Sequence, residues 1–360
     1  MTRSEIWILG ATGRVGRAVA ARIVAAGTVP VLVGRDAGRL RTTAADLGLD
    51  ADTKIVVASG TDAMAAEITR QRPAAVVNTI GDYAASAVPL ARACMPGGHY
   101  LDQANDPTAF HRLFALHDEA TAAGSTLVTG AGFGVAGTEA IVARLCENRP
   151  APSHVRVDAL ASVAVEEGVL GEALAASIVD GFATGGRRYE GGRPVKTRLG
   201  GEVHHLTLPD GERMSSVGVP SGELVAAHRV SGAPSVSATS GLVPASRAVR
   251  TALPLLSAIL RVPAVRSFAI GRMSRIKAKA APRPRPHTWG HAVITWPDGT
   301  VREGWLKAGD AMDFTSAVAA QTALRLAAGE GRPGAHTPAA ALGPDLAVAA
   351  GADFMDAARP

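Results

Sequence analysis

The chain has 360 residues, 47% of them hydrophobic, 19% charged and only 4% aromatic, with a formal net charge of +5. That length suits two domains, and the balance excludes a disordered or collagenous chain. The mild basic excess suits a phosphorylated small ligand, while the shortage of aromatics leaves little to stack on bases, so no nucleic-acid partner is expected.

The opening Met1-Thr2-Arg3-Ser4-Glu5 carries no signal-peptide core and runs directly into Ile6-Trp7-Ile8-Leu9. This apolar segment ends at glycine, as a buried parallel strand does. Helical spacing follows from Val15 to Ala26, then a strand from Val29 to Val33 and a helix from Ala37 to Leu47. Lys54 to Ala58 reads as a strand, Ala63 to Gln71 as a helix, Ala75 to Thr79 as a strand and Ala85 to Met95 as a helix. Pro96-Gly97-Gly98 is a stop. A short strand at Tyr100-Leu101, a long helix from Pro107 to Ala123 and a last strand, Thr126 to Thr129, complete the alternation. Successive parallel strands need helical crossovers, so this half is expected to be a doubly wound parallel sheet, a Rossmann domain.

The pattern changes near Arg149-Pro150-Ala151-Pro152. Val155 to Val165 reads as a strand, Leu170 to Phe182 as a helix, and Tyr189 to Gly201 as a glycine-rich polar stretch. Two antiparallel pairs follow, one around Pro209-Asp210-Gly211 and one around Pro297-Asp298-Gly299. Phe314 to Ala328 returns to a helix. The second half is therefore an α+β domain with a mainly antiparallel sheet, and the fold class is α/β overall. Between the two pairs, Val243 to Lys279 mixes leucines, isoleucines and alanines with eight Lys and Arg residues. It reads either as a helical pair with arginines in solvent or as an amphipathic surface for a lipid, membrane or protein partner. No stretch reaches the ~18 apolar residues of a membrane span, though peripheral contact stays open. Cys94 and Cys146 lie in apolar helical patterns and read as reduced buried thiols, so a soluble cytoplasmic protein is expected.

The turn Gly10-Ala11-Thr12-Gly13-Arg14-Val15-Gly16 joins the first strand to the first helix. A helix N-terminus offers N–H groups and a partial positive charge, and glycine lets a pyrophosphate approach the backbone. Gly10, Thr12, Gly13, Arg14, Val15 and Gly16 are thus candidate dinucleotide contacts. The second strand ends Val33-Gly34-Arg35-Asp36. A carboxylate facing the ribose favours NAD, whereas Arg35 suits the 2′-phosphate of NADP and Asp36 can cap the next helix. NADP is the expected cofactor. Asp62 reads as a helix cap that could touch the adenine, and Asn78, Thr79 and Gly81 lie on the loop expected beside the nicotinamide. His287 and His291 flank Trp289 in a strand-like context without a third ligand, so no metal site is expected.

Four stretches together resemble the saccharopine dehydrogenase/reductase-like family, including its trans-acting enoyl reductase-like members. They are the glycine turn with Val33-Gly34-Arg35; Val77-Asn78-Thr79-Ile80-Gly81-Asp82-Tyr83; His99-Tyr100-Leu101-Asp102 with the Gly130 to Gly134 turn; and Thr337-Pro338-Ala339-Ala340-Ala341-Leu342-Gly343. Residues 190–290 match loosely. The resemblance implies an NADP-binding domain, a substrate domain after it and a C-terminal helix packed back near the cofactor domain. The boundaries expected are 1–135 for the cofactor domain, 136–312 for a substrate and dimerisation domain, and 313–360 for the C-terminal helical segment. Where the family loop reads Gly-Pro-Tyr, this chain has Gly81-Asp82-Tyr83. Asp82 reads as a general acid, a substrate-orienting carboxylate or a turn residue.

Asp82, Tyr83 and Asp102 are the catalytic candidates, with Tyr100 also on the expected rim, His99 read as a further rim candidate or as structural, and Glu166 and Glu167 as facing the cleft or as an exposed strand end. The expected activity is an NADP-dependent oxidoreductase, a reductase delivering hydride to a C=N or polarised C=C bond of a small biosynthetic intermediate, acting as a homodimer. A redox-neutral cofactor-binding protein and a membrane-peripheral or carrier-associated enoyl reductase for lipid-like substrates are the alternatives.

Overall fold

A computed structural model describes residues 4–165, 167–169, 172–243 and 246–356. The chain forms two compact units: Met1–Ala104 with Thr108–Gly132 and Met312–Ala350, and Asn105–Pro107 with Phe133–Ala311 and Gly351–Pro360. The elements up to Val128 are β1 (Ile6–Leu9), α1 (Arg14–Ala25), β2 (Val31–Gly34), α2 (Ala37–Asp46), β3 (Ile55–Val57), α3 (Thr61–Gln71), β4 (Ala75–Asn78), α4 (Tyr83–Cys94), β5 (His99–Asp102), α5 (Pro107–Phe114), α6 (His117–Ala122) and β6 (Thr126–Val128). Next come α7 (Phe133–Cys146), β7 (His154–Leu160), β8 (Gly168–Val169), α8 (Glu172–Thr184), β9 (Gly186–Glu190), β10 (Arg193–Thr197), β11 (Val203–Thr207), β12 (Arg213–Gly218), α9 (Gly222–Ser231) and β13 (Ser235–Ser240). The remainder is α10 (Arg247–Leu260), α11 (Pro263–Met273), β14 (Lys277–Ala278), β15 (Thr288–Thr295), β16 (Val301–Ala308), α12 (Ala311–Ala327), β17 (Gly334–His336), α13 (Pro338–Leu342), α14 (Asp345–Ala349) and β18 (Asp353–Asp356).

In the first unit, seven strands run in the order β17-β6-β5-β4-β1-β2-β3. Every adjacent pair is parallel. The order reverses between β1 and β4, which makes the carboxyl ends of those strands the switch point of a doubly wound sheet. Both faces are covered, which is why β1, β2 and β4 are buried throughout. Trp7, Leu90, Tyr100, Leu113 and Leu127 lie in this core.

The edge strand β17 comes from far down the chain and pairs with β6 in register Ala335↔Leu127. Its three residues carry too little pattern to read as a strand. The expected single helix from Pro107 to Ala123 is broken between α5 and α6. There the Leu116 N–H turns back to the Leu113 carbonyl at 3.0 Å, and this tighter turn lets both leucines bury.

The second unit holds a nine-stranded sheet, β10-β9-β13-β7-β15-β16-β18 with β12 beside β13 and β11 beyond it. Among the described residues only β13 and β7 of this sheet pair in parallel, in register Thr239↔Asp158. Helix α7 packs on β15 and β16 because Gly290 and Gly304 present no side chain there; a Cβ on Gly304 would sit 2.9 Å from Ile141 Cγ2. The glycine-rich polar stretch Tyr189 to Gly201 contributes to the hairpin β9–β10. Gly191 and Gly192 turn it with φ of 57° and 74°, the paired positive angles that a two-residue hairpin turn requires. Its strands are rich in Arg and half exposed, so no hydrophobic alternation announces them.

Candidate functional site

At the end of β1 the chain turns sharply, with Gly10 at φ 78° and its N–H on the Val33 carbonyl at 3.0 Å. A Cβ on Gly10 would meet Thr79 Oγ1 at 2.9 Å; that hydroxyl donates to the Leu9 carbonyl at 2.7 Å. A Cβ on Gly16 would strike the Gly10 carbonyl oxygen and come within 2.9 Å of Ala11 Cα. These glycines let α1 start directly over the strand end. Gly13 is the N-cap of α1, and no side chain caps it. The positive end of a twelve-residue helix is therefore available to an anion, as a bound pyrophosphate needs. Thr12 accepts a hydrogen bond on its carbonyl from Arg17 at 2.9 Å, while Arg14 and Val15 are half-buried in the first turn.

Arg35 lies exposed just past β2. Asp36 is the N-cap of α2 and accepts the Arg39 N–H at 2.9 Å, so its carboxylate is committed to the helix. The strand end presents a guanidinium beside a carboxylate already engaged. Asp62 is exposed in the first turn of α3, but the cap is Gly60, at φ 82°; the capping expectation for Asp62 is corrected by that left-handed glycine, which starts the helix two residues earlier.

The loop after β4 is organised from beneath. Asn78 is fully buried; its Nδ2 donates to Tyr100 Oη at 3.0 Å and Ser86 Oγ at 3.2 Å, and its Oδ1 accepts the Ile80 N–H at 3.1 Å. Ser86 in turn donates to the Gly81 carbonyl at 3.1 Å. Tyr100 donates to Asp102 at 3.0 Å, and Asp102 also accepts from Thr129 Oγ1 at 2.8 Å and the N–H groups of Ala104 and Gly130 at 3.0 and 3.3 Å. Burial pushes the Asp102 carboxyl upward, and these donors offset part of that cost. Burial, then the Asp102 charge, holds Tyr100 well above its ordinary range. Asp102 thus locks three loops and faces no solvent.

Asp82 occupies the N-cap of α4 in the left-handed region, φ 40° and ψ 52°, with its side chain exposed and making no capping bond. A proline ring fixes φ near −65°, so the Gly-Pro-Tyr form of this loop cannot take the backbone seen here. Tyr83 follows, half-buried, and loss of solvent together with the Asp102 charge pushes its phenol pKa up. It stays protonated at any physiological pH. Gln103, beyond Asp102, carries a buried Nε2 with no partner among the described residues. His99 accepts the Thr126 N–H at 3.0 Å, tying β5 to β6. Glu167 is exposed, and Glu166 lies outside the described residues.

The second unit contains a cavity of about 440 Å³ walled by Ile178, Phe182, Leu199, Val219, Leu242 and Val243. Its polar corner is Asn105, Ser221 and Glu223. Asn105 Oδ1 and carbonyl both accept the Gly222 N–H, at 2.7 and 2.9 Å, and its Nδ2 donates to Glu223 Oε1 at 3.4 Å. Glu223 Oε2 and Ser221 Oγ are buried without a well-formed hydrogen bond among the described residues. Burial raises the Glu223 carboxyl pKa, with Ser221, its own backbone and Asn105 lowering it in part. A side chain on Gly134 would occupy the place of Glu223 Oε1, so glycine at 134 is what admits the carboxyl.

Residues 6–128 match the family model of the saccharopine dehydrogenase NADP binding domain. Residues 6–128 are thus similar to the NADP-binding domain of saccharopine dehydrogenases. The cofactor is NADP, and the chain is an NADP-dependent oxidoreductase. In fold, the chain is similar to the apo saccharopine dehydrogenase (L-Glu forming) of Saccharomyces cerevisiae, at 11% identity, TM-score 0.58, over 98% of this chain and 100% of that one. A short-chain dehydrogenase from Sphingobium yanoikuyae in complex with NADPH is similar over 35% of this chain and 70% of its own, at 19% identity and TM-score 0.29. No curated protein matches the sequence.

Within this saccharopine dehydrogenase-type domain, Gly10, Thr12, Gly13, Arg14, Val15 and Gly16 form one turn, and Asn78, Thr79 and Gly81 form the neighbouring loop, joined through the contact of Gly10 with Thr79. The sequence reading missed Ser86, Thr129 and Gln103, and in the second unit Asn105, Ser221 and Glu223. Glu223 falls in an apolar helical run, and only the placement of Gly134 against it marks it out.

Proposed function

We propose that the protein is an NADPH-dependent reductase that delivers hydride to a C=N or polarised C=C bond of a small intermediate with an apolar body. The observation that carries this is the uncapped N-terminus of α1 over a glycine turn, with Arg35 exposed and Asp36 engaged elsewhere. Bound NADPH supplies the hydride; the chain supplies position and a proton. The α1 N-terminus holds the pyrophosphate, Arg35 the 2′-phosphate, and Asn78, Thr79 and Gly81 support the loop beside the nicotinamide. Asp62 belongs to the adenine side of this reading. Tyr83, kept neutral by its surroundings, is the hydroxyl that donates to the substrate, while Asp82 orients it. Asp102 acts as a positioning residue, since its oxygens are taken by Tyr100, Thr129 and two backbone amides.

The second-unit cavity supports a substrate with an apolar body and one donor group directed at Glu223. Its apolar walls favour enoyl or lipid-like substrates over small zwitterions. Homodimerisation and residence in the reducing cytoplasm are further parts of the reading, the latter supported by the two free cysteines. The test follows NADPH absorbance with a panel of cyclic and open imines and α,β-unsaturated acyl compounds of increasing chain length. Turnover that rises with chain length supports the reading. NADPH binding without consumption across the panel overturns it.

A further inference from the structure

The helical pair α10–α11 turns its apolar side outward. In α10, Leu253, Ser257 and Leu260 are buried at helical spacing, while Leu255 is 67% and Ile259 45% exposed. Beyond the bend, Phe268 is 69% exposed, and α11 buries no residue at all. This ridge is fixed to its own unit: both helices pack on α8, Arg261 Nε donates to the Ala183 carbonyl at 3.2 Å and Arg250 Nε to the Gly200 carbonyl at 2.8 Å. From Leu224 to Pro297 the sequence contains no Asp or Glu, yet Arg247 to Arg285 holds ten Lys and Arg residues.

We infer that α10–α11 is a docking surface for an anionic lipid bilayer, lying in the interface with Leu255, Ile259, Val262 and Phe268 among the acyl chains and the basic residues among the headgroups. An apolar ridge bordered by cations without acids is what such a surface requires. A second copy of this chain fits poorly, because a two-fold pairing of the patch would set its basic residues against their own copies. Nor does either helix cross a bilayer alone. The helices meet at 114°, and no single described helix is long and apolar enough to span. At ~1.5 Å per residue, α10 reaches only about 21 Å against a hydrocarbon core of about 30 Å. Leu242 and Val243, which precede α10, also wall the apolar cavity, and α8 contributes Ile178 and Phe182 to it. That continuity suits a substrate drawn from the bilayer, though the docking surface stands without it.

The test is co-sedimentation of the full chain with vesicles of phosphatidylcholine alone or mixed with phosphatidylglycerol, at low and high salt. Wild type should partition at least about tenfold more onto the anionic vesicles and lose most of this at high salt. Leu255→Ser with Phe268→Ser should lower partition about 100-fold while the melting curve and NADPH affinity stay as in wild type. Arg272→Glu with Arg275→Glu should lose the preference for anionic vesicles. Failure of wild type to bind anionic vesicles overturns the inference, as does equal binding by the serine variant. An oligomer in sedimentation velocity that the serine variant dissolves, without vesicle binding by wild type, reassigns the ridge to self-association and likewise overturns it. The reductase reading rests on NADPH consumption and fails or stands separately.

Discussion

Replacing Gly16 by alanine tests whether the turn after β1 is a phosphate cradle or an ordinary tight connection. Gly16 is the third residue of α1, and its missing side chain faces backbone on every side: the Gly10 carbonyl and Ala11 Cα, the latter 2.9 Å from where a Cβ would lie. Backbone cannot swing aside as a side-chain tip can, so the start of α1 must retreat by about 1 Å to restore ordinary contact. Overpacking of this kind costs about 3 kcal/mol, and the better helix propensity of alanine returns about 1, leaving a net loss near 2 kcal/mol. That corresponds to a fall in Tm of several degrees, about 2–4 °C per kcal/mol in a chain of this size class. A helix start moved by that distance also forfeits at least one hydrogen bond to a charged phosphate, about 1.5–3 kcal/mol, or 10- to 100-fold in Kd. Calorimetric titration of NADPH and a thermal melt measure both. Gly13→Ala is the control: it meets only the Gly10 oxygen, at 3.2 Å, and costs under ~1 kcal/mol. NADPH binding by Gly16→Ala at the wild-type Kd, with an unchanged Tm, would falsify the cradle.

Arg35→Ala should weaken NADPH about 10- to 100-fold and leave NADH unaffected; equal losses in parallel titrations contradict the 2′-phosphate assignment. Tyr83→Phe should lower turnover about 100-fold at unchanged NADPH affinity, and undiminished turnover removes Tyr83 as donor. Asp82→Gly should keep the fold, because glycine accepts φ 40°, whereas Asp82→Pro should melt several degrees lower by ~2 kcal/mol or more of strain; equal Tm values refute the backbone argument. In the second unit, His291 bonds Asp158 at 2.7 Å and Glu303 at 2.9 Å. Burial lowers its pKa, but these two carboxylates outweigh burial and hold it above 6.5, while Asp158 and Glu303 are lowered. The His291 contribution is therefore complete below pH 6.5 and is lost as pH rises through the folded value. The carboxylate contributions are present above their ordinary values and are lost as pH falls through the lowered ones. His291→Gln should flatten the decline of Tm above pH 6.5 and cost roughly 3 kcal/mol near pH 6; a variant melt that tracks wild type at every pH rules out the coupling.

What the sequence determined by itself was local. The unbroken apolar runs of β1, β2 and β4, the stop at Pro96-Gly97-Gly98, and the Gly10 to Gly16 turn made the parallel sheet and its phosphate-type turn legible, because they depend on neighbours within a few residues. Asp36 could be read as a cap for the same reason. Elements without their own hydrophobic pattern were not legible: β17 exists as a strand because β6 offers it an edge, and β9–β10 because Gly191 and Gly192 turn two arginine-rich segments together. Arg35 shows the middle case, since its type and place were readable but the engagement of Asp36 had to be seen. Only the tertiary structure decided that Asp102 is sealed beneath its loop, that His291 joins carboxylates 133 and 12 positions away, and that Glu223 stands in the space left by Gly134. Each of those depends on burial and on partners distant in the chain, and these set the desolvation cost that turns an ordinary side chain into a committed one.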